Sequence, residues 1–424
     1  MPLLRESGRS GESPDALGRP AGRGPLTLPA VLVLALVAVI AVRPPWWSFN
    51  YAAVLALIAL ALTGRAPRLR LPDTLALATG AWALAGPLWA GQAAWTLPGG
   101  YRYATVCLVF VTCRQVIRSR RDLLLLGWAY LGACVVVALE VLAGARDELR
   151  QQGELVDVAT RYGVEGREIN ATAYTLAVGT VVAILLTVAA GRHPLLRFGP
   201  PLLALPVTWA MLLTGCRGAA IGVLVGVVVL ALAWRLPWAT AAGIGITSLL
   251  LLVVVPVGVA PEGAMRWLDQ LYDRPTGDIS GRLELWPYAL STWGESPLTG
   301  SGPGVFTHSN PMEIGPHNLL LILGNDLGLV GVLLYLGTIA AACWTTARSG
   351  RRGLVLACVL TGVLLPIWLT GQWETALAMW LALALVTVLP ELPVAARPMH
   401  RAAPGTSSWG SRPVTARPAP HHVG

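Results

Sequence analysis

Long apolar runs separated by short polar connections recur along nearly the whole chain. A run of about 20 apolar residues is long enough to cross a bilayer as a helix. Alternating apolar and polar positions, which would indicate a membrane barrel, are absent from the sequence. The pattern predicts an all-α integral membrane protein with about 12 transmembrane helices. The predicted spans are residues 26–42, 46–63, 73–91, 102–117, 123–143, 171–190, 200–215, 218–234, 237–258, 328–346, 354–370 and 375–392.

The composition supports this class. Of the 424 residues, 55% are hydrophobic and 12% are charged, and the mean hydropathy is +0.62. Soluble domains carry about 25% charged residues, so this chain has about half the usual share. A single soluble core could not bury so much apolar surface, and a multi-pass membrane protein needs no such core.

The placement of arginine predicts the orientation in the membrane. The chain contains no lysine, and an inside amino terminus puts most arginines on the cytoplasmic side. Both termini are therefore expected in the cytoplasm, and the net charge of +9 is mainly a topology signal. No basic aromatic patch indicates nucleic-acid binding. The loop arginines placed inside are Arg65, Arg68, Arg70, Arg118, Arg120, Arg121, Arg192, Arg197, Arg235, Arg348, Arg351 and Arg352.

Three kinds of segment follow from this topology. Residues 1–25 and 395–424 are rich in Gly, Pro, Ser and Arg, which predicts disordered cytoplasmic tails. Residues 26–394 form the predicted polytopic membrane domain, with two long outer loops at about 144–170 and 259–317. The second loop is expected to be partly helical, because two of its segments carry apolar residues at helical spacing. These residues are Trp267, Leu271 and Tyr272, and then Leu285, Tyr288, Ala289 and Trp293.

Three polar residues are predicted to meet at the outer surface. Arg217 lies at the end of a span in TGCRGAAIG, Arg282 opens a loop helix in SGRLELW, and His317 ends the long loop. Guanidinium groups bind phosphate oxygens in a bidentate manner and keep their charge. An imidazole can accept a proton from a hydroxyl near neutral pH. These three residues would suit a lipid-linked phosphate and an attacking hydroxyl.

Each of these residues also has an ordinary structural explanation. Arg217 could be a snorkelling anchor at the end of a span, and Arg282 could pair with a neighbouring glutamate. His317 could cap or pack against the following helix. His308, nine residues earlier, is expected to be solvated. The six cysteines show no CxxC spacing and indicate neither a disulfide framework nor a metal cluster.

Several motifs resemble those of the O-antigen ligase and polymerase family of bacterial membrane proteins. In that family a His-Asn pair is followed by nine residues, Gly, two residues and a second small residue, as in His317-Asn318, Gly328 and Gly331. The stretch SGRLELWPYALSTWGESPLTGSGPGVF is similar to the family's Arg, Trp and Pro-x-x-Gly-x-Gly passage. TGCRGAAIG resembles its Ser-Arg-Gly turn, with Cys216 in place of Ser. The resemblance covers about residues 205–346.

The resemblance implies a GT-C-like membrane glycosyltransferase that works at the outer leaflet of the bacterial cytoplasmic membrane. Its donor would be a glycan on undecaprenyl diphosphate, and its acceptor a sugar hydroxyl of a glycan or lipid-glycan. The catalytic residues would be His317, Arg282 and Arg217, with Arg217, Arg282 and Asn318 also binding substrate. RYGVEGREINATAY is similar to a further family segment and adds two weaker binding candidates, Arg161 and Asn170. Asn170 could equally cap the helix that follows it.

The expected reaction uses no metal and no cofactor. The first outer loop, RPPWWSFN, contains no acidic residue, and the chain contains no Asp-x-Asp. Arginines are then expected to neutralise the leaving diphosphate. Direct displacement with inversion is expected, because no second carboxylate is positioned as a nucleophile.

Two other functions remain open. A transporter of a small solute or inorganic carbon would show buried charges or broken helices near the membrane midplane. Glu140 is the one charge expected to be buried there, while Asp326 and Glu374 are expected near the outer surface. A non-catalytic scaffold for glycan assembly is the third alternative. Clustering of polar residues at the outer side favours the enzyme.

Overall fold

The computed structural model describes most of the membrane domain. It covers residues 27–42, 45–151, 162–164, 168–189, 194–233, 282–371 and 373–392. The predicted tails, the ninth span at 237–258 and residues 259–281 of the second outer loop, with the first predicted loop helix, lie outside these ranges. Within the described residues the fold is all-helical.

Fourteen α-helices and one 3-10 turn make up the described residues. Most of them lie within several residues of a predicted span, but the third, fourth, fifth and tenth predicted spans differ more. Four of the helices are long and apolar enough to cross a membrane, and five apolar segments are shorter. The α-helices are α1 (Leu28–Val42), α2 (Pro45–Ala61), α3 (Leu71–Leu84), α4 (Pro87–Ala90), α5 (Ala93–Val116), α6 (Arg120–Gln151), α7 (Ile169–Ala189), α8 (Pro194–Leu213), α9 (Arg217–Ala233), α10 (Arg282–Glu295), α11 (Val305–Ser309), α12 (Leu319–Ala347), α13 (Arg351–Thr370) and α14 (Leu377–Val388).

Four predicted spans have a wrong boundary. The third predicted span divides into α3 and α4, with a turn at Ala85–Gly86 between them. The fourth span begins at Ala93 rather than at residue 102, because Pro98 is accommodated inside α5. The fifth runs on to Gln151, so the outer loop predicted at about 144–170 is shorter than expected. The tenth, predicted to begin at residue 328, begins at Leu319. Polar residues ended these segments in the hydropathy pattern, although polar sequence can continue a helix beyond the apolar core.

Small residues bring antiparallel helices together. A Cβ on Gly222 would meet Val363, and one on Gly226 would meet both Val363 and Val359. Later residues of α9 therefore face earlier residues of α13, so the two helices are antiparallel. Gly80 and Gly100 set α3 against α5 in the same way, each facing backbone of the other helix. Close approach through small residues is a usual means of packing membrane helices.

Helix α12 is broken at Gly328, and residues 297–301, which precede α11, fill the break. Gly328 has φ 64° and ψ −172°, which is not helical. The backbone N–H groups of Leu329 and Val330 donate to the carbonyls of Pro297 and Leu298, at 2.9 and 3.2 Å. On the other side of the break, Asn325 O accepts from the Ser301 backbone N–H at 2.7 Å.

A side chain from α3 completes this set of bonds. Trp82 Nε1 donates to the carbonyl of Leu327 at 2.9 Å. Backbone groups left unpaired in a membrane cost several kcal/mol each, so the break persists because partners are supplied for it. A Cβ on Gly328 would overlap the Leu298 carbonyl, and one on Gly300 would approach Asn325 O to 2.5 Å. Both glycines are required by the close contact and by their positive φ.

A buried ion cluster joins three parts of the chain at the end of the bundle away from the Gly328 break. Arg114 Nε lies 2.7 Å from Asp73 Oδ1, and Arg114 Nη2 lies 3.0 Å from Glu391 Oε1. The Arg114 and Asp73 side chains are 1% and 0% exposed. Arg70 also pairs with Glu391, at 2.8 Å, but its side chain is 55% exposed. The cluster fixes the 3-10 turn Leu389–Glu391 against α3 and α5.

The expectation that Glu140 is buried is wrong. Glu140 is exposed on α6, whereas Asp73, Arg114, Asp326 and Glu374 are all buried. The hydropathy pattern gave the depth of each residue along a helix but not the side of the helix it occupies. Burial here depends on which face packs against neighbouring helices.

We expect Gly328→Ala to destabilise the protein by more than about 1 kcal/mol, because alanine is strained at this φ and overlaps Leu298. Gly132→Ala is the matched control, since a Cβ there meets nothing within 4 Å. In an exposed helical position this control should be neutral or stabilising by about 0.5–1 kcal/mol. Thermal unfolding in detergent measures both. Equal melting temperatures for the two variants would contradict the required break.

We expect Arg114→Gln to destabilise the protein by about 3–5 kcal/mol, because it leaves Asp73 buried without its cation. Arg70→Gln removes an exposed partner of the same cluster and should cost no more than about 1 kcal/mol. The same unfolding measurement separates the two. A larger loss for Arg70→Gln would show that burial does not govern this cluster.

Candidate functional site

Four connections lie at one end of the helical bundle, which we call the motif end. They are Ala85–Gln92, Thr214–Cys216, Ser296–Asn318 and Gly371–Ala376. Pro303 packs on Gly86 and Gly99, and the antiparallel pairing of α9 with α13 places the start of α9 beside the end of α13. The predicted topology puts this end at the outer surface.

His317 stands in a fixed turn immediately before α12. Its φ of 50° lies in the left-handed region, which non-glycine residues adopt infrequently. Conformations of this kind persist where the surroundings hold them, and they cluster at functional sites. Its ring is half-buried. The backbone therefore presents the imidazole in a conformation that the turn, rather than helix geometry, determines.

Asn318, not His317, caps α12. The Asn318 Oδ1 accepts hydrogen bonds from the backbone N–H groups of Leu320 and Leu321, at 3.0 and 3.3 Å. The capping alternative considered for His317 is therefore wrong. Because the cap occupies Oδ1, a substrate contact by Asn318 would have to use its amide NH₂ group. That substrate role stays a prediction.

A hydrogen bond ties the helix that Arg282 begins to the turn that holds His317. Trp286 Nε1 donates to Pro316 O at 2.8 Å. Arg282 is the first residue of α10 and lies one turn before Trp286 on the same face. The backbone therefore brings positions 282 and 317 into one neighbourhood. The predicted loop helix is confirmed, with Leu285 and Ala289 buried, although Tyr288 is 42% exposed.

Arg217 is the first residue of α9, directly after the turn Thr214–Cys216. Cys216 is buried, and its backbone N–H donates to Thr214 Oγ1 at 3.3 Å. The α9 and α13 register places Arg217 at the level of Gly371, where α13 ends. A Cβ on Gly371 would meet the Tyr174 hydroxyl at 2.6 Å. Arg217 thus lies at the motif end, beside α7 and the Gly371–Ala376 connection.

The two weaker candidates have different outcomes. Arg161 lies outside the described residues. Asn170 is the second residue of α7 and not its cap, and its Nδ2 donates to Glu168 Oε1 at 3.2 Å. Tyr174, one turn further along α7, stacks edge-on with Trp373 at 5.2 Å between ring centroids. Asn170 therefore shares the motif end with Arg217.

Asp326 organises residues 296–309, which we call the motif passage, a role that the sequence pattern did not reveal. Its Oδ2 accepts from the Tyr103 hydroxyl and its Oδ1 from the Gly304 backbone N–H, each at 3.0 Å. The carboxylate thereby joins α12, α5 and the start of α11. An acidic residue in an otherwise apolar helix, two positions before the helix-breaking glycine, was the available signal.

Glu374 is a second buried carboxyl group at the motif end, in the connection between α13 and α14. Its backbone carbonyl accepts from the Tyr335 hydroxyl at 2.8 Å and from Trp380 Nε1 at 3.0 Å. Its Oε2 has no hydrogen-bond partner within the described residues. Burial raises the pKa of Glu374 to about 7, and the positive charge of Arg102 opposes that rise.

The described part of the site offers cationic and hydrogen-bonding groups rather than a cluster of ligands for a metal. Within the described residues, no group of three or more His, Cys, Asp or Glu side chains could hold a metal ion. Guanidinium groups at positions 217 and 282 can bind an anion, and the imidazole of His317 can exchange a proton. The arrangement is suited to a reaction at a phosphate-bearing substrate.

We expect Glu374→Gln to stabilise the protein at about pH 8 and to change little at about pH 5. The folded-state pKa of about 7 lies above the ordinary value of 4.5. Stability is therefore greatest below the ordinary pKa and falls as the pH rises through the folded pKa. Melting temperatures at both pH values test this. A gain that is equal at both pH values would contradict the titration of Glu374.

Comparison with known families agrees with the motifs. A family model described as O-Antigen ligase matches residues 202–336, about a third of the chain. This range contains Arg217, Arg282, His317 and the break at Gly328, and it agrees closely with the expected 205–346. No match is found among curated proteins. The match therefore identifies residues 202–336 as similar to the O-antigen ligase family, in a chain whose described residues are all-helical and include four helices long and apolar enough to cross a membrane.

Proposed function

We propose that the protein transfers a glycan from a polyprenyl-diphosphate donor to a sugar hydroxyl at the outer leaflet, without a metal. The observation that carries the proposal is the Trp286–Pro316 hydrogen bond, which ties the helix that Arg282 begins to the turn of His317. Arg217 lies at the same end of the bundle. These positions support a site in which the arginines and His317 act on the same substrate.

In the proposed step, the acceptor hydroxyl oxygen attacks the anomeric carbon of the donor sugar. The bond between that carbon and the diphosphate oxygen breaks, and its electron pair leaves with the lipid diphosphate. His317 accepts the hydroxyl proton, while Arg217 and Arg282 stabilise the charge that develops on the leaving group. A single displacement inverts the anomeric configuration. Arg161, Asn170 and Asn318 would contribute to substrate binding.

Arginine suits this task for a physical reason. Its guanidinium group keeps its charge at any working pH and matches two phosphate oxygens at once. Direct charge stabilisation by fixed donors can replace the Lewis acid that a metal would supply. We therefore expect transfer to continue in the presence of a chelator.

The transporter alternative has one observation in its favour, namely a broken helix beside buried carboxyl groups. Transporters use the freed backbone carbonyls of such helices to bind ions. Here the Asn325 and Leu327 carbonyls are occupied by Ser301 and Trp82, and both oxygens of Asp326 accept hydrogen bonds. The break therefore serves to dock the motif passage, which favours the enzyme over the transporter.

We expect His317→Ala, Arg217→Ala and Arg282→Ala each to lower the surface glycan by about a hundredfold or more in a complemented deletion strain. Removing one group that stabilises transition-state charge typically costs about 10²–10³ in rate. Glycan is scored on a gel, with the amount of membrane-inserted protein measured in parallel. The control is Arg348→Ala, since Arg348 is exposed at the opposite end of α12, over the ring of Trp344.

The same experiment separates the alternatives. Normal glycan in all three variants would overturn the transferase site and favour transport. Loss in the Arg348 control as well would show that the effect is not confined to the motif end. A missing ladder of intermediate lengths indicates a polymerase, while a normal lipid-linked polymer that is not attached indicates a ligase. A product with retained anomeric configuration would contradict the single displacement.

A further inference from the structure

An exposed histidine of the motif passage stacks on a tryptophan from another part of the chain. The rings of His308 and Trp95 are 5.6 Å apart between centroids, with an interplanar angle of 28°. His308 belongs to α11, is exposed and was expected only to be solvated, while Trp95 is half-buried at the start of α5. The proposed reaction above uses neither side chain.

The motif passage holds this pair in place along one face of α5. A Cβ on Gly302 would meet Thr96, and one on Gly99 would approach the Pro303 carbonyl to 2.7 Å. Gly304 lies over the carbonyl of Trp95 and donates its N–H to Asp326. The backbone on both sides of the ring pair is therefore fixed by contacts that do not involve the rings themselves.

Exposed polar residues lie close to the two rings along the chain. Gln92 precedes α5, is exposed and makes no side-chain cap bond, and Trp95 N–H donates to its backbone carbonyl at 3.2 Å. Ser309 is exposed beside His308. Arg102 is exposed two helical turns beyond Trp95 on the same face, with its guanidinium 5.9 Å from the centre of the Phe49 ring. The segments that carry the two rings therefore also carry an exposed amide, hydroxyl and guanidinium group.

From this arrangement we infer that Trp95 and His308 form a binding platform for a pyranose ring of the glycan substrate. The C–H groups on one face of a sugar ring carry partial positive charge and suit the negative face of an aromatic ring. The hydroxyl groups at the rim of the sugar need donors and acceptors, which Gln92, Ser309 and the imidazole nitrogens supply. The inference rests on the proposed function.

Tryptophan and tyrosine also gather at membrane interfaces without binding any ligand. An interfacial anchor requires only an amphipathic ring at the correct depth. It does not require a stacked imidazole, nor a backbone that holds the imidazole in position. Trp344 is an exposed tryptophan of the anchor kind, at the other end of α12 beside Arg348, and it provides a control.

The test compares four variants with the wild type in the complemented deletion strain. We expect Trp95→Ala and His308→Ala to lower the surface glycan by about tenfold, the typical effect of removing one stacking ring. Trp95→Phe and His308→Phe keep an aromatic ring and should retain most of the transfer. Trp344→Ala should match the wild type. Protein level and melting temperature are measured for each variant.

Wild-type glycan in both alanine variants, where His317→Ala is inactive, overturns the platform and leaves the proposed function standing. If Trp95→Ala also melts early, His308→Ala decides, because an exposed ring can be removed without opening the core. Equal loss in His308→Ala and His308→Phe likewise overturns it. Transfer that survives His317→Ala contradicts the proposed function instead.

A reconstituted assay then shows which substrate supplies the sugar ring. It combines protein in nanodiscs with lipid-linked donor extracted from the deletion strain and with acceptor extracted from a strain that makes no donor. If Trp95→Ala and His308→Ala raise the KM for the acceptor fraction alone, the platform binds the acceptor. If they raise the KM for the donor fraction alone, it binds the donor glycan. Unchanged KM values for both fractions overturn the inference.

Discussion

The hydrogen bonds that satisfy the broken backbone of α12 are the constraint on which the motif end depends. A helix interrupted within an apolar bundle exposes carbonyl and N–H groups that neither lipid nor apolar side chains can pair. Here the Pro297–Ser301 passage and Trp82 supply those partners. The dependence is mutual, because the same hydrogen bonds also fix the conformation of residues 297–301. The turn at His317 and the helix begun by Arg282 are attached to this unit on either side.

The motif end combines two parts of the chain that differ in their relation to the family. Residues 202–336 match the family and contain the break, the passage and the proposed reacting residues. Bonds within this range fill the break, and further contacts come from outside it: Trp82 on α3, Tyr103 on α5 and the Gly371–Ala376 connection.

Much of the helical architecture could be predicted from hydropathy, since the length of an apolar run follows directly from bilayer thickness. Boundaries at Pro98 and Gln151 were missed because tertiary packing allows a helix to continue through proline or polar sequence. The candidate site residues were predicted from the order of the motifs along the chain. The structure adds the hydrogen bond between Trp286 and Pro316. Asp326, Glu374 and Trp95 could not be assigned from sequence. Their partners lie far away along the chain, and only the packing reveals which face of each helix is covered.

The ion cluster at the far end of the bundle has a consequence for how the chain can be shortened. Glu391 supplies the second carboxylate to Arg114, and it is the last residue of the final helical turn described. Removal of residues 395–424 leaves this carboxylate in place, whereas a deletion that reaches 391 takes it away from a guanidinium that solvent cannot reach. Residues 389–391 therefore hold the end of α14 against α3 and α5 through this ion cluster. A shortened chain should therefore keep residue 391 if this ion pair is to remain.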